Sequence, residues 1–374
     1  MSKFALNASG YHYAKFDGLN RYTGELLKTF LKSGIRDFKI YTSDSFLFEN
    51  YIQNISKIPF KNIDRNDFKN NLLRLIWHQT LLPISLKKRS ISLFYSPVPE
   101  GMLFPVCPQI ITVHDILPVL FPETYPRIKY YFQYILPQLL KVSQAIITTS
   151  ENTKKDIDSR FKLKNKPIYV VYQGYRKEIF NIKKPADRAS ILQHYNLQNF
   201  ILCVGETRPY KNIRRLIEAF ARANVPDLDL AIVGKLNKLD RSIVDYPKAF
   251  GIVDRVKFLG FVPDNALADL YRTAIAFVFP SLYEGFGIPP LEAMACGCPV
   301  VVSHAASIPE VCNNAAEYVD PLNVDSIAAG IYRVATDANA RSTLRQRGLD
   351  RVKAFSYRQM FAEILEILRE YEPN

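Results

Sequence analysis

The chain has 374 residues, 48% hydrophobic and 23% charged, which excludes a disordered, collagen-like or fibrous protein and allows two cores. Its net charge of +13 is uneven: residues 1–185 carry 28 Lys and Arg against 14 Asp and Glu, whereas residues 186–374 carry 21 against 22. A basic half points to an anionic partner, whether a phosphate-bearing substrate, an acidic membrane surface or nucleic acid. In chain order, short apolar runs rich in β-formers predict strands over 4–7, 38–42, 91–95, 109–113, 145–149 and 168–172. Stretches of helical periodicity lie between them, at 19–32, 68–82, 128–142 and 153–161. A second series follows, with strands over 200–204, 228–233, 256–259, 275–280, 299–302 and 317–319. Its helices are expected over 213–223, 266–273, 290–295 and 326–336, with a last helix over 357–371.

Continuous apolar strands alternating with helices indicate parallel sheets covered on both faces. Two series of about six strands predict an α/β protein of two doubly wound, Rossmann-like domains, 1–185 and 186–356. The polar stretch 181–188 marks the boundary, and the helix within 357–374 packs back on one of the domains. Such a pair is expected to bind ligands in a crevice between the carboxyl ends of its sheets. The first ten residues lack a leader pattern, and no apolar run approaches the ~20 residues that span a bilayer. Five scattered cysteines, Cys107, Cys203, Cys296, Cys298 and Cys312, read as reduced thiols. The expectation is a cytoplasmic protein, soluble or peripheral on a membrane.

The sharpest motif is SLYEGFGIPPLEAMACGCPVVV, residues 281–302, after a predicted strand. Gly285 and Gly287, around Phe286, let backbone N–H groups turn toward a ligand, and Ile288-Pro289-Pro290 suits a helix start. A loop leading into a helix N-terminus is an anion site. Glu284 precedes the glycines, and Glu292 is expected in the first turn, where a carboxylate accepts from a vicinal diol such as a ribose. The second motif is CVGETRPYKN, residues 203–212, in which Gly205 ends a strand and Arg208 and Lys211 precede a helix. Two cations at that junction suit a diphosphate.

His114 and Asp115 follow the strand 109–113, so they project at its carboxyl end. A histidine there can donate to a substrate hydroxyl or carbonyl, or move a proton. Gly18 and Asn20 sit where the chain enters its first long helix, and Gly18 lets backbone amides approach a phosphate. No spacing of Cys and His builds a metal cage, and the two D-x-D strings, at Asp156 and Asp227, sit in a helix and before a strand.

Together these residues resemble the retaining glycosyltransferases of family 4, with the GT-B fold. The resemblance rests on Glu284–Glu292 with its glycine-proline core, and extends to Gly18, His114-Asp115, Ser150-Glu151, Lys211-Asn212 and Ser307-Ile308-Pro309-Glu310. It covers nearly the whole chain and looks most like bacterial mannosyltransferases that build polysaccharides.

The resemblance implies a role for each. Glu292 would hold the ribose of a nucleotide-sugar; Glu284, with the amides of Phe286 and Gly287, its sugar. Lys211 and Arg208 would neutralise the departing diphosphate, which Gly18 would contact from the other domain. His114 would lie near the reacting carbon, and Gly234-Lys235 and Phe261-Val262 near the base. No metal or other cofactor is needed. Glu206 departs from the family pattern, since many members carry Arg after the glycine. The N-terminal domain would take a saccharide or lipid-linked acceptor, and the stretch 72–89, with Trp77 and Lys87-Lys88-Arg89, an anionic membrane.

GDP-mannose is favoured as donor over UDP-glucose. A sugar-nucleotide epimerase of the same architecture is the alternative. Nucleic-acid binding is disfavoured because no helix-turn-helix, zinc module or RNA-binding aromatic signature occurs. A dehydrogenase is disfavoured because no G-x-G-x-x-G follows the first strand.

Overall fold

The computed structural model describes residues 4–12, 18–35, 37–43, 54–60, 68–183, 187–236 and 240–372. The chain divides into two units, Met1–Gly174 with Ser356–Asn374, and Tyr175–Phe355. The boundary expected at 185/186 falls on residues outside the described ones.

The first unit holds seven parallel strands: β1 (Phe4–Ala8), β2 (Phe38–Thr42), β3 (Ile55–Lys57), β4 (Leu93–Ser96), β5 (Gln109–Val113), β6 (Ala145–Thr148) and β7 (Ile168–Val170). Their order is β3-β2-β1-β4-β5-β6-β7. The sheet centre is buried on both faces, so β1, β5 and β6 have no exposed residue. Leu6 pairs with Ile40 on one side and Tyr95 on the other. β3 is the strand the apolar pattern does not show, because three residues at a sheet edge with only Ser56 buried carry no periodicity.

The last helix, Tyr357–Glu370, belongs to this unit. Met360, Phe361, Ile364, Ile367 and Leu368 join the core of β1 and the helix Gly18–Lys32, where Phe361 meets Phe30 edge-on at 4.7 Å. Gly174 permits this return, since a Cβ there would fall 2.1 Å from the Tyr357 amide nitrogen.

The second unit holds six parallel strands: β8 (Asn199–Val204), β9 (Leu228–Val233), β10 (Val256–Gly260), β11 (Ala276–Phe279), β12 (Val300–Ser303) and β13 (Ala316–Val319). Their order is β10-β9-β8-β11-β12-β13. The helix Ile213–Ala223 shows why the elements form: Ile213, Leu216, Ile217, Phe220 and Ala223 recur at helical spacing and enter the core. Two of the helices that escape the periodicity show why. Arg188–Tyr195 buries no residue, and Ala338–Arg351 buries only Leu344 and Gly348.

In both sheets the chain order reverses once, between β1 and β4 and between β8 and β11. Ligands of open α/β sheets bind beyond the strand ends at such reversals.

Candidate active site

In the second unit the predicted residues gather around the β8/β11 reversal. After β8 the chain runs through Gly205 (φ 153°), Glu206 and Arg208 into a 3-10 turn, Pro209–Lys211. Asn212, in the left-handed region at φ 63°, then starts the helix Ile213–Ala223. After β11 come Glu284 and the glycine loop. Lys211 Nζ reaches across to Glu284 Oε1 at 2.7 Å, with both side chains largely buried. The ammonium also lies 4.9 Å from the Phe279 ring centre, a cation–π contact that orients it. Arg208 is paired with the Glu206 carboxylate. Both cations expected at a diphosphate are therefore held by carboxylates.

The loops are braced by their own polar groups. The Leu282 amide donates to the Tyr210 carbonyl at 2.7 Å. Asn212 Nδ2 donates to the carbonyls of Pro280 (3.0 Å) and Pro321 (2.7 Å), tying three strand ends together. Ser307, fully buried, places its hydroxyl 2.6 Å from the Phe286 carbonyl and 2.9 Å from that of Glu284. Asn212 and Ser307 fix the loops that carry the site. The sequence shows them only as members of the junctions Lys211-Asn212 and Ser307-Ile308-Pro309, with no charge to single them out.

The helix expected from residue 290 begins at Ile288, giving Ile288–Ala295 with Gly287 (φ 118°) as its cap. Of the amides a helix start leaves without an intrahelical partner, Pro289 and Pro290 abolish two, so Gly287 and Ile288 supply the donors. The earlier start corrects one expectation: Glu292 lies in the second turn, not the first, beyond the reach of the helix dipole. It is 4% exposed, so its burial is not explained by a favourable end charge.

Lys235 and Val262 follow β9 and β10. The Thr207 amide donates to the Lys235 carbonyl at 3.2 Å, and the Gly234 amide to Gly260 at 2.8 Å. Gly234 cannot carry a side chain, since its Cβ would stand 2.1 Å from the Gly205 carbonyl oxygen. Lys235 is exposed and Val262 buried.

The other predicted residues belong to the first unit. Gly18 is exposed at its helix start, and Asn20 is buried with Oδ1 accepting from the His12 amide at 2.9 Å. Tyr22 of the same helix meets His114 edge-on at 4.4 Å. His114 is buried, and burial pushes its pKa down to about 4 from 6.5. Its Nε2 lies 2.9 Å from the Pro97 carbonyl. A carbonyl only accepts, so Nε2 carries the proton and Nδ1 is an acceptor. The expected donation from this ring to substrate is thereby corrected: Nε2–H is already committed.

Trp77, expected near a membrane, is 2% exposed and packs beside Tyr41. Among the described residues no group of His, Cys, Asp and Glu could hold a metal ion, and no helix is long and apolar enough to cross a membrane.

Residues 16–178 match the model "Glycosyltransferase Family 4" and residues 187–351 the model "Glycosyl transferases group 1". The chain is 30% identical over 365 residues to "O-antigen chain mannosyltransferase B" of Escherichia coli, covering 91% of this chain and 92% of that protein. Sucrose-phosphate synthase from Thermosynechococcus elongatus has the same fold, with a TM-score of 0.79, 20% identity and 98% of each chain covered. So does an Anabaena protein solved with UDP and glucose, with a TM-score of 0.74, 19% identity, and 99% and 100% covered.

Proposed function

Because the chain belongs to the family-4 glycosyltransferases of GT-B fold, we propose that it moves a mannosyl group, with retention, from GDP-mannose to a saccharide or lipid-linked acceptor in polysaccharide assembly. The observation that carries the donor site is the cluster at the β8/β11 reversal, where Lys211 pairs with Glu284 on the loop that leads into the helix Ile288–Ala295 and Arg208 pairs with Glu206 after β8. Mannose is supported by the name of the Escherichia coli relative. UDP-glucose is the second donor in line, as the Anabaena protein carries UDP and glucose.

The bond from sugar C1 to the diphosphate oxygen breaks, C1 bonds to the acceptor oxygen, and the acceptor proton leaves with the diphosphate. Negative charge grows on the leaving group. Lys211 turns from Glu284 to that charge, joined by Arg208 and the amides of Gly287 and Ile288, and the reaction is speeded by this fixed positive field. These groups do the work of a divalent ion, so no metal is required. Glu284, released, accepts from sugar hydroxyls. The buried Glu292 holds the ribose diol, and Gly205, Lys235 and Val262 complete the donor contacts of the second unit.

The lipid end of the acceptor lies at an anionic membrane. Leu72 and Ile76 face outward on the helix Phe68–Gln79, and Leu81 and Ile84 on the helix Leu81–Lys88. Ile84 is 64% exposed. Lys87, Lys88 and Arg89 are exposed at the end of this apolar stripe, the composition of an interfacial helix.

Product analysis tests the reading. GDP-mannose with a mannoside acceptor should give a longer saccharide with the donor's anomeric configuration. An epimerised nucleotide-sugar from donor alone would support the epimerase instead.

A further inference from the structure

Ser150, Ser356 and Ser307 each stand at the N-cap position of a helix. The first two do what serine is favoured for there: Ser150 Oγ accepts from the Thr153 amide, and Ser356 Oγ from the Gln359 amide. Ser307 does not. It precedes the short helix Ile308–Cys312 and makes no side-chain bond to it. Its hydroxyl reaches back to the loop after β11, 2.6 Å from the Phe286 carbonyl and 2.9 Å from the Glu284 carbonyl. A capping hydroxyl accepts, whereas this one donates, because a carbonyl oxygen has no proton to give. The helix forgoes the stability that a cap brings, and the serine serves the loop instead.

What that bond does follows from peptide geometry. In a trans peptide the C=O of one residue and the N–H of the next point in opposite directions. Holding the Phe286 carbonyl on Ser307 therefore aims the Gly287 N–H away from Ser307. Holding the Glu284 carbonyl does the same for the Gly285 N–H. The Gly287 N–H, so aimed, has no acceptor among the described residues. The loop's own sequence does not fix this direction: Gly287 stands at φ 118°, and a peptide beside a glycine turns over at little cost. Ile308 fixes where Gly287 lies, since a Cβ there would stand 2.8 Å from Ile308 Cδ1. Ser307 fixes which way its peptide faces. Ser307, Phe286 and Glu284 are all buried, so water is a poor substitute for the hydroxyl.

We infer that Ser307 is a positioning residue for transfer: through the Phe286 and Glu284 carbonyls it turns the Gly287 and Gly285 N–H groups toward the donor's diphosphate and sugar. This rests on the transferase reading, and it gives a neutral side chain beyond β12 control over the amide donors of the glycine loop. Ser307 itself touches neither donor nor acceptor. Without its hydroxyl the Phe286 carbonyl is buried with no donor, and turning the peptide over relieves that cost. The turned peptide presents an oxygen in place of an N–H where negative charge grows on the leaving group, which opposes the reaction.

The test uses the full chain with GDP-mannose and methyl α-D-mannopyranoside, with GDP affinity and the thermal unfolding midpoint measured on the same samples. Ser307→Ala should lower kcat by about 100-fold with a smaller rise in donor KM, because the aimed amides act most on charge that appears in the transition state. Ser307→Thr, which keeps the hydroxyl, should restore most of that loss. Ser307→Cys, close in shape with only a weak S–H donor, serves if Ser307→Ala is unstable and should show the same split. Ser356→Ala removes a true cap and controls for stability: its midpoint should fall while kcat stays. Near-normal kcat in Ser307→Ala overturns the assignment. So does an equal loss of kcat in Ser356→Ala, or the absence of rescue by Ser307→Thr in a chain that unfolds as the wild type does; either result makes Ser307 a brace alone. A wild-type chain that binds no GDP and transfers no mannosyl group would instead sink the transferase reading.

Discussion

Lys211 Nζ and Glu284 Oε1 meet at 2.7 Å across the point where the strand order of the second sheet reverses. The pair joins residues 73 positions apart, and the proposed reaction requires the ammonium to leave it for a diphosphate. Lys211→Ala should therefore lower kcat by about 10²–10³, with a smaller effect on donor KM, because the lost charge acts on the leaving group. Steady-state kinetics with GDP-mannose check this. Near-normal kcat would move the role to Arg208.

Glu292 is buried in the second turn of its helix, where no end charge rewards a carboxylate. Glu292→Ala should weaken nucleotide-sugar binding by about 10- to 100-fold, the worth of charge-assisted hydrogen bonds to a diol. Calorimetry with GDP-mannose measures it, and unchanged affinity would remove the ribose role.

Burial lowers His114 and His78 from 6.5 to about 4. Between those values the unfolded chain binds protons at both positions that the folded chain refuses. Stability should therefore rise with pH from about 4 to about 6.5 and level off above, with up to about 3 kcal/mol from each ring. Urea unfolding at stepped pH tests the slope, and His78→Gln should reduce it. The neutral His114 also predicts no inflection in kcat near pH 6.5 that disappears in His114→Gln.

Much of this was legible in the residues and some was not. Buried strands such as β9 and the stripe of Ile213–Ala223 announce themselves because burial imposes a pattern. Arg188–Tyr195 buries nothing and so left no pattern to read. The site loops were visible through Gly205, Gly285 and Gly287, but the carboxylate held by each cation was not. Lys211–Glu284 depends on two strands being neighbours, which local spacing does not state. The sequence puts Glu292 one turn too early, because two prolines mark a helix start without saying how far inside it they lie.

The outward stripe Leu72, Ile76, Leu81 and Ile84, followed by Lys87, Lys88 and Arg89, predicts binding to anionic vesicles. In flotation, phosphatidylglycerol vesicles should recover the chain and neutral vesicles should not. Ile76→Ser with Ile84→Ser should reduce recovery, as should added salt. Equal recovery with both lipids would refute the surface.

In the proposed reaction the second unit grips a nucleoside diphosphate through Lys211 and Arg208. Titration of GDP and UDP into the full chain tests it most directly, with the double variant Arg208→Ala, Lys211→Ala alongside. One diphosphate should bind to wild type, with affinity that falls as salt rises, and the double variant should lose most of that binding. If neither diphosphate binds, or the double variant binds as well as wild type, the account is wrong.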